Sequence, residues 1–339
     1  MLRALTKTQA WLLIAVLVLA CVWAARLAPV DVPAPAHANG YSDVQLYHDI
    51  VDNMGGGSGY YQAATTLQRQ HGFPTSPFVT VRLPTLAVMA ATFGWPALQA
   101  VLASLLGLAA LLWYREAKVG ATPLEAAAVA LAVIAGGAMV SQGELAAVHE
   151  LWAGALLAIA MALRGGKHWP LALAAAAAAL AIREMTLPFV LLACLFAGVE
   201  RRRNEAIGWA MVVVLFGVGM ALHAQAVHAV ALPTDLASEG WRGFRGPSAV
   251  LLDLVDVSLL NRLPGPLAYP LTLLALLGWS AAPLRQARFA LLYFAGYALM
   301  LALFARTQNF YWATVLLPLW FVGFAFLPRA VRELCGAMR

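Results

Sequence analysis

Apolar runs of membrane-crossing length recur along almost the whole chain, separated by short charged clusters. A bilayer's hydrocarbon core is ~30 Å thick and takes ~20 predominantly apolar helical residues to cross. The runs therefore predict an all-α, polytopic helical membrane protein. Composition agrees, since 62% of the 339 residues are hydrophobic and only 11% are charged, against ~25% charged in soluble domains.

Ten candidate spans follow: 10–28, 96–114, 122–140, 145–163, 168–182, 186–199, 205–224, 263–281, 289–304 and 310–327. Several are short and require tilt or extension into neighbouring residues. The first carries small residues after it (Ala34, Ala36, Ala38), as a cleaved secretory signal would. A retained helix is the expectation, because many further spans anchor the chain. The run Leu83–Phe93 is too short to cross. It predicts a re-entrant half-helix, continuous with 96–114 through a kink at Pro96.

Basic residues cluster at Arg3/Lys7, Arg115/Lys118, Arg164/Lys167, Arg201-Arg202-Arg203, Arg285/Arg288 and Arg329/Arg332/Arg339. Placing these turns in the cytoplasm follows the positive-inside tendency. Both termini are then cytoplasmic, and the basic excess is topological, with no nucleic-acid partner implied. Counting 83–93 as a crossing would turn Arg201-Arg202-Arg203 outward, against that tendency. On this topology 11 of the 16 acids lie toward the outer side. The alanine, arginine and leucine content suits a bacterial inner membrane.

The chain reads as a single integral-membrane domain with two long outer loops, 29–80 and 225–262. The first is the polar anomaly of a greasy sequence, holding Asp31, Asp43, Asp49, Asp52, His48, His71, Arg69 and the tyrosines 41, 47, 60 and 61. Within it, 42–54 has the apolar spacing of an amphipathic helix lying on the bilayer, with Ser42 as its cap. Asp43 would stand at the helix start, where a carboxylate can take a proton from a hydroxyl or hold a divalent cation. A simple capping acid is the structural alternative. Gly55-Gly56-Gly57-Ser58-Gly59 lacks the strand and helix that flank a phosphate-binding loop, and reads as a flexible turn.

Further candidates sit at the expected outer membrane edge. Glu144, His149 and Glu150 flank the start of the 145–163 span, where acids are costly and are either paired or functional. Arg183-Glu184 interrupts the apolar region 168–199. It is either a structural ion pair or an arginine fork for a phosphate. Arg82, Arg242, Arg245 and Arg306 offer the same chemistry. Cys21, Cys194 and Cys335 are scattered without metal-site or disulfide spacing.

Taken in order, these residues resemble the GT-C superfamily of integral-membrane glycosyltransferases. The matching features are the early loop aspartate Asp43 with Tyr47, then Gly59-Tyr60-Tyr61 with Ala63-Ala64. The passage Gly72-Phe73-Pro74, Pro77, Arg82-Leu83-Pro84 follows, then the basic turn from Tyr114 and the acidic stretch Glu144–Glu150. The likeness covers about residues 10–165, and Val44 stands where the family pairs a second acid with the loop aspartate.

The resemblance implies a polyprenyl-phosphate sugar donor at the outer interface and a glycan, glycolipid or protein acceptor. It implies Asp43 as the base, Glu144 or Glu150 as the second acidic position, and Arg82, Arg183 or Arg242 facing the phosphate. Tyr47, Tyr60 and Tyr61 would line the substrate site. No metal is required by this chemistry, although a divalent cation could take part. The other classes in view are a lipid or solute transporter and a non-catalytic membrane subunit. Charges at the outer edge and the lack of an internal repeat weigh against a transporter.

Overall fold

A computed structural model describes residues 2–28, 40–138, 142–241 and 243–338. Asp31, Arg242, the small residues 34–38 and the end of the 122–140 span lie outside them. The described residues form helices and turns, with no strand beyond one isolated bridge between Ser76 and Ala237.

Helix α1 (Lys7–Ala25) starts at a capping box in which Thr6 and Gln9 satisfy each other's backbone. One face of it, with Leu13, Ile14 and Leu17, packs against α12 and α15, and most of the rest is exposed, Leu12, Val16 and Leu19 included. A helix that is apolar all round and leaves most of its face uncovered has lipid as its natural solvent. α2 (Asp43–Gly55) and α3 (Tyr60–Gln70) follow as an amphipathic pair. Ser42 caps α2 by accepting from Gln45 N at 3.1 Å. Leu46, Ile50, Tyr60, Ala64 and Leu67 form a small core between the two helices, closed by Val227.

α4 (Thr85–Phe93) has nine residues and so rises ~14 Å, under half the hydrocarbon thickness. It meets α5 (Trp95–Ala117) at Gly94, whose φ of +80° ends the first helix and begins the second. The kink expected at Pro96 is therefore a true break two residues earlier. Only glycine holds that φ without strain, whereas Pro96 sits in the first turn of α5, where its missing N–H leaves no bond unmade.

The remaining helices are α6 (Pro123–Gly136), α7 (His149–Leu163), α8 (Trp169–Ile182), α9 (Leu187–Val199), α10 (Arg203–His228), α11 (Gly246–Asp256), α12 (Gly265–Ala281), α13 (Ala287–Phe304), α14 (Leu317–Trp320) and α15 (Leu327–Ala337). α7 is buried from His149 to Ala162 and forms the central post of the bundle. The segment from Thr307 to Phe326 winds partly as 3₁₀ turns against α6, α7 and α12. Five helical stretches are long and apolar enough to cross a bilayer: Lys7–Ala25, Trp95–Ala117, Arg203–His228, Ala287–Phe304 and Thr307–Ala337. Six further apolar helices are shorter. The molecule is thus an all-helical protein of the membrane type.

The basic turns meet at one end of the bundle. Arg285 Nη2 donates to the Ala162 carbonyl at 3.1 Å, and its backbone N–H donates to Glu116. Arg164 bonds Gln286, Arg329 pairs with Glu125, and Arg3 pairs with Glu333. The opposite end carries α2, α3, the α8–α9 break and the chain over 229–241 and 243–262.

Within the expected second outer loop, 225–262, α10 runs on to His228 and the buried helix α11 fills 246–256. Val250, Leu251, Leu254 and Val255 drive α11 into the bundle. Its one enclosed acid, Asp253, accepts two bonds of 2.9 Å from the Arg245 fork. The two outer segments also join: Thr75 and Ser76 N–H groups donate to Leu236 O, and Arg69 grips Asp235.

Candidate functional site

Four helix ends and two connecting segments converge behind α2. Arg183 lies where α8 stops, at φ −144°, and the chain restarts through Glu184–Thr186 into α9. Its side chain is wholly enclosed. Nε donates to Glu150 Oε1 at 2.6 Å, Nη1 donates to Glu184, and Nη2 meets the Met185 sulfur at 3.1 Å. The guanidinium also lies over the Trp312 ring at 5.8 Å. A charge so deep is tolerated only when paired and hydrogen-bonded, and two carboxylates meet that condition.

Arg82 is the second cation of the group and retains some surface. Its Nε donates to Tyr47 Oη and its Nη2 to Tyr311 Oη, each at 3.1 Å. Glu184 lies 3.9 Å from Nη1. Burial works against the Arg82 charge, but Tyr47, Tyr311, Glu150 and Glu184 outweigh it and hold the pKa well above the ordinary value. Tyr60 fixes the backbone beneath by donating to the Arg82 carbonyl at 2.6 Å. Burial raises the Tyr47 phenol, so Tyr47 stays a neutral hydroxyl at any physiological pH.

Asp43 opens α2, one helical turn before Tyr47 and on the same face. It is half-exposed, and among the described residues it has no ion pair or side-chain hydrogen bond. Its charge reaches Tyr47 and Tyr311. A free carboxylate therefore faces the tyrosines that hold Arg82. Behind them, Tyr47, Tyr60, Arg82, Leu86, Trp95 and His149 enclose a cavity of about 10 Å³, room for one water. His149 stacks edge-on against Tyr47 at 4.7 Å. Its Nδ1 turns toward the Ala147 carbonyl without meeting hydrogen-bond geometry.

The fold thus assembles Asp43, Tyr47, Tyr60, Arg82, Glu150 and Arg183 into one neighbourhood. Tyr61 stands apart from it: its hydroxyl bonds His223 Nδ1 at 3.1 Å, while His223 Nε2 donates to the Val81 carbonyl at 3.1 Å. That link braces α3 against α10. Glu144 is exposed, and what it offers the loop is its carbonyl, 3.5 Å from His48 Nε2. Arg242 lies outside the described residues. Arg183 and Glu150 satisfy one another, whereas Arg82, held by Tyr47 and Tyr311, keeps part of its surface.

Tyr311 was not singled out by sequence reasoning, although it holds half of the Arg82 fork. It stands second in the last apolar run, beside Trp312, and an interfacial Tyr-Trp pair is the one signal available. Among the described residues no group of three or more His, Cys, Asp or Glu side chains comes together to hold a metal ion. The divalent cation considered from sequence therefore has no ligand set among them.

The fold and site define an all-helical membrane-type protein with an amphipathic loop pair laid over a paired-arginine cluster. No family model, curated protein or solved structure matches the chain.

Proposed function

We propose that the chain is a membrane glycosyltransferase that moves a sugar from a polyprenyl-phosphate donor to a glycan, glycolipid or protein acceptor. One observation carries this reading. Asp43, a carboxylate without a partner among the described residues, shares a helix face with Tyr47, whose oxygen accepts from Arg82. A base and the tyrosine that fixes a cation thus stand about one helical turn apart on α2.

In this reaction the acceptor oxygen attacks the anomeric carbon and gives its proton to Asp43. The bond from that carbon to the phosphate oxygen breaks, and its electron pair departs with the polyprenyl phosphate, inverting the centre. Arg82, held by Tyr47 and Tyr311, offsets the charge gathering on the leaving phosphate without having to reorient. Arg183, Glu150 and Glu184 keep Arg82 and the α7 start in register.

The topology that suits this reading has ten crossings, both termini in the cytoplasm and α4 as a half-helix on the outer side. Its support is the gathering of the basic turns at one end of the bundle. A bacterial inner membrane is the setting we assign.

The deciding experiment deletes the gene, restores it as wild type or Asp43→Asn, and compares envelope glycans and lipid-linked intermediates by mass spectrometry. Wild type should restore one defined sugar. Asp43→Asn should reach the membrane folded yet cut transfer about 10²-fold or more. Full transfer by the variant would remove Asp43 from the mechanism.

A further inference from the structure

At the end of the bundle remote from Asp43, α8 and α10 begin side by side around a cleft of about 310 Å³. It is lined by Gly165, Gly166 and Trp169 from the start of α8 and by Arg202, Arg203, Asn204 and Glu205 from the start of α10. Nothing in the proposed transfer reaction uses it.

We propose that this cleft binds the phosphodiester headgroup of an anionic phospholipid. The charge balance favours an anion. Arg202 and Arg203 line it, and Arg164, Lys167 and Arg201 adjoin its lining residues in the chain, against Glu205 in the lining and Glu200 beside it, three positive charges in excess. The acids are already engaged. Glu205 accepts from Gly165 N and Trp209 Nε1, each at 3.1 Å, and pairs with Arg202, which also pairs with Glu200. Neither Arg203 nor Lys167 has an ion pair among the described residues, and both side chains are exposed.

The backbone adds to this. α10 is 26 residues long, and no side chain caps its N-terminus at Arg202. The cleft residues Arg203, Asn204 and Glu205 are its first turn, whose unpaired N–H groups favour an anionic oxygen.

The surroundings choose a lipid over a soluble phosphate. Along α10 beyond Arg203, Ile207, Met211, Val214 and Val218 are each more than half exposed and share one face at helical spacing, so the cleft is followed by an uncovered apolar stripe. An acyl chain can lie there while its phosphate sits among the arginines, with Trp169 at the boundary depth that indole rings prefer. Basic pockets between helices on the cytoplasmic side of a membrane are suited to such headgroups.

The test uses the full-length protein in nanodiscs. Retained lipid is measured by native mass spectrometry against discs of phosphatidylglycerol in phosphatidylcholine, with inorganic phosphate as a separate ligand. The double variant Lys167→Gln/Arg203→Gln breaks no ion pair and should fold. Arg288→Gln, exposed at the same end but outside the cleft, is the control. Phosphatidylglycerol should be retained selectively by wild type and by Arg288→Gln. The double variant should retain it about 25-fold less, at about fivefold per charge.

Equal retention of the two lipids would overturn the proposal, as would an equal loss in Arg288→Gln. Binding of inorganic phosphate that the double variant abolishes, without lipid selectivity, would assign the cleft to a soluble anion instead.

Discussion

Arg183 Nε reaches Glu150 Oε1 at 2.6 Å across the bundle, tying the break between α8 and α9 to the first turn of α7. Both side chains are almost fully enclosed. In such a place the cost of one missing partner exceeds the net worth of the pair, because the remaining charge keeps its desolvation penalty.

Arg183→Ala should therefore destabilise the protein by about 3–5 kcal/mol. Glu150→Gln should cost less, since Glu184 still faces the guanidinium. The double change Arg183→Met and Glu150→Gln should recover part of the loss by removing the enclosed pair together while Glu184 stays with Arg82. Melting temperatures of the purified variants in one detergent give the order. An Arg183→Ala protein that melts with wild type would mean the ion pair holds nothing.

The Arg82 fork yields a prediction on activity that rests on the proposed reaction. Tyr47 and Tyr311 each accept one of its N–H groups at 3.1 Å, and a hydrogen bond to a charged group is worth about 1.5–3 kcal/mol. Tyr47→Phe and Tyr311→Phe should each slow transfer by about ten- to a hundredfold. The double variant should lose less than the product of the two, because both act through the same guanidinium. Arg82→Lys should fall below either, since an ammonium cannot make the two directed contacts. Steady-state kcat, with KM measured alongside, separates positioning from binding. If Tyr311→Phe is as active as wild type, the second half of the clamp is irrelevant to turnover.

Much of the scaffold behind these residues is legible in the sequence, and the reasons are local. Each of the ten apolar runs contains helical structure, because unbroken runs of Leu, Val and Ala commit the backbone wherever they fall. Asp43 at the head of an amphipathic helix follows from Ser42 and the spacing of Leu46 and Ile50. What the sequence hides is partnership at long range. Nothing near Glu150 announces Arg183, nor does anything near Arg82 announce Tyr311, 229 residues away. α11 was missed for a related reason, since its short apolar stretch lies among charged residues whose pairing only the fold supplies. The pair Tyr60-Tyr61 looks like one feature in the chain. A helix turns its neighbours ~100° apart, so one ring reaches Arg82 and the other His223.

A pH effect follows from Arg69 and Asp235, which join α3 to the segment after α10. Hydrogen bonds from Arg69 come first among the causes that lower the Asp235 carboxyl from its ordinary value to about 2. Its pKa is thus depressed on folding, so the contribution is complete above the ordinary value near 4 and fades as the pH falls through about 2. Hydrogen exchange of residues 229–241 should be flat from neutral pH to about 4 after correction for intrinsic rates, then quicken below it. In Arg69→Gln the segment should exchange faster even at neutral pH, by a modest factor, because the pair is partly exposed. Identical exchange in wild type and Arg69→Gln would show that the ion pair does not dock this segment.

Close backbone contact gives the last prediction. A Cβ on Gly278 would lie 1.8 Å from the Gly323 carbonyl oxygen, and one on Gly323 would lie 1.8 Å from that of Ala275. These glycines let α12 cross the 321–326 turns at a separation that no larger residue allows, the packing that small residues give helices in lipid. Neither contact can be relieved by rotating a side chain, because the obstacle is backbone on both sides. Gly278→Ala and Gly323→Ala should each cost about 1–3 kcal/mol or more. Gly217→Ala in α10 and Gly296→Ala in α13 meet open space, and should be neutral or stabilising by up to about 1 kcal/mol, the ordinary helical preference for alanine. Four melting curves decide the matter. Gly278→Ala melting with Gly217→Ala would mean that α12 and the 321–326 turns stand farther apart than the fold described here.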